Sequence, residues 1–112
     1  MTHVSVEAGI CGFTSTIEVS KLSARRVRVD ITSDCEMVSK LGEQLHDVEW
    51  RNVLKLPENP LLCKCSHRYI HHVACPVPIA ILKAIEVEVG LALAKDVVIH
   101  FDVANHSQSN TG

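Results

Sequence analysis

The feature that most constrains this chain is a period of two, repeated three times in its first third. Val4, Val6 and Ala8 alternate with His3, Ser5 and Glu7. Phe13, Ser15, Ile17 and Val19 alternate with Thr14, Thr16, Glu18 and Ser20, and Val27, Val29 and Ile31 alternate with Arg26, Arg28 and Asp30. Side chains on a strand point to opposite faces in turn, so each segment reads as a strand with one dry and one wet face. The breaks between them are short. Gly9-Ile10-Cys11-Gly12 carries two glycines three apart, which permits a tight turn, and Lys21 to Arg25 reads as a second turn. Three strands joined this way form an antiparallel meander, and its dry face must be covered by the rest of the chain. On the wet face, Glu18 and Arg28 stand where they can pair.

The cover is helical. Ser33 with Glu36 has the spacing of a capping box, and Val38, Leu41, Leu45 and Val48 follow at helical intervals. Trp50 to Leu56 is read as the end of that helix and a connection. Asn59 is placed to cap a second helix with Pro60 in its first turn, its apolar face made by Leu61, Leu62, Cys65, Tyr69 and Val73. A third helix is expected from about Pro76 to Val89, with Val77, Ile81, Ile85 and Val89 as its buried stripe and Gly90 at its end. Val97, Ile99 and Phe101 return to period two and predict a final strand, central in the sheet. The expected order is β-β-β-α-α-α-β. The fold class is α+β, a two-layer sandwich with a mostly antiparallel sheet and helices on one face. Residues 1–104 form a single domain in this reading, and 105–112 a flexible polar tail.

Composition narrows the function classes. The 112 residues are 46% apolar but only 4% aromatic, so the core is aliphatic. A formal charge of −2 gives no basic excess for nucleic acid, and the Arg25, Arg26 and Arg28 run has no aromatic platform beside it. The start of the chain has no basic-then-apolar leader pattern, and Val87 to Ala94 is too short to span a bilayer. The expected location is the cytoplasm, with neither nucleic acid nor membrane as partner. There is no glycine-rich phosphate loop and no G-x-S-x-G elbow.

Five cysteines remain to be explained: Cys11, Cys35, Cys63, Cys65 and Cys75. An odd number without a secretion signal argues against a disulfide scaffold and raises thiol or metal chemistry. Cys11 falls in the first turn, Cys35 in the first turn of the first helix, and Cys75 directly before Pro76 at the start of the third. Helix N-termini favour the thiolate, which is both nucleophile and metal ligand. Should these loops converge, Cys11, Cys35 and Cys75 can hold zinc or an iron–sulfur cluster. A weaker alternative is Cys63, His67 and His71, spaced i, i+4, i+8 on the second helix. Such a stripe extends over about 12 Å, so one ion reaches only two of its members.

Cys75-Pro76-Val77-Pro78 ahead of an apolar helix resembles the C-P-x-P motif of the TusA-type sulfur carriers. That resemblance implies a persulfide held on Cys75. Together, Gly9-Ile10-Cys11-Gly12-Phe13, Ser33-Asp34-Cys35-Glu36 and Cys75-Pro76-Val77-Pro78 resemble a small uncharacterised prokaryotic family, a domain of unknown function. No activity follows from that second likeness. The residues therefore point first to a small thiolate-based metal or iron–sulfur protein that passes its cargo to a donor or acceptor protein. The alternatives are a sulfur relay with Cys75 as its catalytic thiol, and a non-catalytic interaction domain with structural cysteines. The wet strand face or Val87 to Leu93 offers a contact for a homodimer.

Overall fold

The computed structural model describes residues 1–54, 68–70 and 74–102. The three alternating segments form β1 (Thr2–Glu7), β2 (Thr14–Lys21) and β3 (Arg26–Ser33), all antiparallel. A two-residue strand, β4 (Val48–Glu49), pairs with Arg26 and Val27 and closes that side, giving the sheet order β1-β2-β3-β4. The helices are α1 (Glu36–Glu43), the single turn α2 (Trp50–Val53) and α3 (Val77–Glu88). The helices pack on one face, α1 over β3 and α3 over β1 and β2.

The dry face is the one that the alternation marked. Ile17, Val19, Val27 and Val29 are fully buried against Leu41, Ile81, Ala84 and Ile85. Such burial is worth roughly 1.5–3 kcal/mol for each large aliphatic side chain. At β3, α1 comes so close that a Cβ on Gly42 would sit 2.9 Å from the Ile31 Cβ. That atom is fixed to the strand backbone, so the layers would have to part. Gly42→Ala should therefore cost about 1–2 kcal/mol in urea unfolding, because overpacking outweighs alanine's better helix propensity.

Several local expectations change. Ser33 does not cap α1. It ends β3, and Cys35 is the N-cap residue, with extended backbone and no side-chain cap bond. The Ser33 hydroxyl instead accepts the Cys35 N–H at 3.0 Å. Helix α1 stops at Glu43, so Leu45 is buried from a turn and Val48 belongs to β4. The helical spacing there was satisfied by three different local structures facing one core. Glu18 and Arg28 do not pair. Arg28 binds Asp30 on its own strand at 2.9 Å, and Glu18 meets His3 across the β1–β2 register at 2.6 Å. Exposed pairs of this kind add little to stability.

The largest change is at the C-terminal end. Helix α3 ends as the glycine implied: Gly90 takes a φ of 85°, the Gly90 N–H reaches the Val87 carbonyl, and the Leu91 N–H reaches the Glu86 carbonyl at 2.8 Å. This is a Schellman cap. Beyond it, residues 91–102 form no strand and are exposed throughout. Alternation supplies a strand's faces but not its partner, and no strand of this sheet pairs with the segment. The expected central strand is thus absent, and the sheet with helices on one face is not closed into a sandwich. The second expected helix falls largely on residues 55–67 and 71–73, outside the described residues, as does the tail from 105. Within that stretch Arg68 and Tyr69 are helical and Ile70 is buried.

One carboxylate ties helix to sheet. Glu88, at the last turn of α3, accepts a hydrogen bond from the Thr2 hydroxyl at 2.7 Å and from the Lys21 N–H at 3.3 Å, with the Met1 ammonium 3.4 Å away. Burial raises its pKa, but these donors together outweigh burial and hold it below the usual carboxylate value. A depressed folded pKa adds stability that is fully present above the unfolded pKa and lost as pH falls through the folded one. Glu88→Gln should cost about 1–2 kcal/mol at pH 7. The gap to wild type should narrow below about pH 4, read by urea unfolding at both pH values.

Candidate thiol site

Strand register decides which loops meet. Glu7 pairs with Thr14 and Ser15 pairs with Ser33. The turn holding Cys11 and the exit of β3 leading to Cys35 therefore lie at the same end of the sheet. The C-terminal turn of α3 is tied through Glu88 to Thr2 and Lys21, which belong to the opposite end. Twelve helical residues rise about 18 Å. That matches the roughly 20 Å of a six-residue strand such as β1. Helix α3 thus begins at the end occupied by Cys11 and Cys35, and Cys75 stands at its entrance.

Each cysteine is held differently. Cys11 is exposed in a turn whose flanking glycines have φ of 87° and 77°, closed by the Gly12 N–H to the Gly9 carbonyl at 2.9 Å. Those left-handed positions accept glycine readily and other residues at a cost. Cys35 is half-buried, its N–H on the Ser33 hydroxyl and its carbonyl accepting the Ser39 N–H at 3.0 Å. The Ser33 hydroxyl also accepts from Ser15, which is 2% exposed, at 2.8 Å. Sequence reading missed this serine pair beneath Cys35. Its signal was a hydroxyl at Ser15 in the dry row of β2. Cys75 is half-buried and followed by Pro76, whose φ of −77° already suits the helix.

Electrostatics link the three. Burial pushes the Cys75 thiol above its ordinary value of 9.0, the Val77 N–H pulls it down, and negative charge on Cys35 and Cys11 pushes it up again. Cys75 thus lies near enough to the other two for their charge to act on it. Like charges in a partly dry place disfavour ionisation unless a cation joins them. Among the described residues, however, no three His, Cys, Asp or Glu side chains are drawn together as a ready ligand set. The arrangement is an open group of free thiols. Cys63, Cys65, His67 and His71 lie outside the described residues. His3 and His46 are engaged elsewhere, on Glu18 and, at 3.7 Å, Asp30.

The chain belongs to a family of unknown function (DUF6951), whose model matches residues 2–101. No curated protein and no solved structure matches it. Among the described residues, no helix is long and apolar enough to cross a membrane.

The displaced thiol has a direct readout. Alkylation of Cys75 by iodoacetamide, followed by mass spectrometry against pH, should reach its midpoint at a higher pH than that of an ordinary exposed cysteine. Replacing both Cys11 and Cys35 with serine should lower that midpoint.

Proposed function

We propose that this chain is a small cytoplasmic protein that binds a metal ion or iron–sulfur cluster through Cys11, Cys35 and Cys75 and passes it to a partner protein. The observation that carries the reading is topological. Register and the Glu88 anchor bring three cysteines from three separate loops to one end of the sheet. Cysteine is otherwise a residue of closed cores, and gathering it at a loop-built rim suits a soft cation. Zinc takes three thiolates with a fourth position open, and a cluster takes the same donors. Binding requires the thiols to close from their open arrangement. The Gly9–Gly12 turn is the element best able to yield, since Cys11 is exposed upon it. A rim site also suits exchange with a donor or acceptor protein, which needs ligands that a second protein can reach.

A second reading is favoured by one local feature, Cys75 set immediately before Pro76 at the entrance of α3. In a sulfur relay the Cys75 thiolate attacks the outer sulfur of a donor persulfide. The donor's S–S bond breaks, the donor leaves as a thiolate, and Cys75 carries the sulfane sulfur. An acceptor thiolate then attacks that sulfur and releases Cys75.

The deciding measurement is metal and acid-labile sulfide content, with an optical spectrum, on untagged protein prepared without oxygen. The expected result is about one zinc per chain, or iron with matching sulfide, lost in Cys11→Ser and in Cys75→Ser. Protein free of both, even after anaerobic incubation with zinc or with iron and sulfide, overturns the metal reading. Loading of sulfane sulfur that only Cys75→Ser abolishes then supports the relay. Thiols that react slowly until denaturant is added indicate structural cysteines.

A further inference from the structure

Residues 91–102 are an apolar stretch left in water. Leu93 is 91% exposed, Val97 59%, Ile99 82% and Phe101 79%. Among the described residues no backbone hydrogen bond reaches residues 92–102. Val97, Ile99 and Phe101 nevertheless keep the period of two, with Asp96, Val98, His100 and Asp102 on the other side. The family match runs to residue 101, so the segment is part of the shared domain rather than an appended tail.

The same fold offers what this segment lacks. Among the described residues, β1 is the outer strand of its sheet, with β2 on one side and no strand on the other. An open edge is a row of unpaired backbone donors and acceptors that templates another strand. Its dry row is also unfinished. Val4 is only half-buried, while Ile17 and Val19, in the middle of the sheet, are fully covered. Helix α3 lies over β1 and leaves Ile79 57% exposed. A strand laid outside β1 would extend the dry face beneath that helix.

We propose that two copies of this chain exchange these segments, residues 96–102 of each adding a strand to the β1 edge of the other. The segment stands off its own sheet while its own β1 edge is open, so the pairing joins copies rather than folding one chain back on itself. Reciprocal exchange is the closed two-fold arrangement that homodimers favour. Strand addition supplies backbone hydrogen bonds, and the alternating apolar row supplies burial. Each large exposed side chain has about 100 Å² to hide. Two segments together with the surfaces they cover reach roughly 1,500–2,000 Å², the size of a stable interface.

The test uses the full chain in dilute buffer with reductant, so that disulfides contribute nothing. Sedimentation velocity should give a species of twice 12.3 kDa. Ile99→Pro bends the segment and interrupts a strand built through it, yet Ile99 is 82% exposed within its own chain. That variant should keep its far-ultraviolet circular dichroism and dissociate at least tenfold more readily. In a one-to-one mixture of isotope-labelled and unlabelled wild type, intermolecular contacts should link Val97–Phe101 of one chain to β1 of the other. A monomer at 100 µM (about a hundredfold above the micromolar affinity expected of such an interface) overturns the proposal. So does a dimer without those contacts, or a monomer whose segment amides are protected on its own β1.

Discussion

The structure depends on covering one side of a three-stranded meander. Ile17 and Val19 on β2, with Val27 and Val29 on β3, form a dry patch that water would penalise heavily if left open. Helices α1 and α3 exist as ordered elements largely because they close that patch. Neither has a side-chain N-cap bond, and short helices hold poorly in water by themselves. Their ends are fixed where they touch the sheet: Gly42 against Ile31, and Glu88 against Thr2 and Lys21.

Fixing the helices on the sheet also decides where the thiols go. The meander sends one turn and one strand exit to the same end, and α3 is pinned at the other end by Glu88. Cys11, Cys35 and Cys75 are gathered as a consequence of that packing, with Ser15 and Ser33 hydrogen-bonded beneath. The same packing leaves the group partly open to water, so Cys75 combines a desolvated sulfur with approachable neighbours. Stability of the layers and placement of the thiols are therefore coupled through α3.

The β1 side shows the reverse of this closure. On the β3 side β4 ends the sheet, whereas among the described residues β1 has no outer neighbour and Val4 is covered only in part. Beyond the Gly90 cap the chain leads its apolar residues away from the core. A small domain with an open edge and an unpaired alternating segment has unfinished burial, and a second copy contains both halves of what is missing.

Much of this was legible from residue order alone. The three N-terminal strands, their turns, the extent of α3 and its glycine stop all follow from local rules: side-chain period, left-handed glycine and the lost N–H of proline. The positions of the three cysteines at turn and helix starts were equally readable. Long-range packing decided the rest. It made Val48 part of β4 instead of α1, because helical spacing marks only which residues seek the core. It turned Ser33 from a cap into a support for Cys35, because Ser15 stands across from it in the register. It left Val97, Ile99 and Phe101 unpaired, because a strand is completed by a neighbour that its own sequence does not contain. That the three thiols share one end of the sheet was likewise set by register and by the Glu88 anchor, which join residues 18 and 86 positions apart.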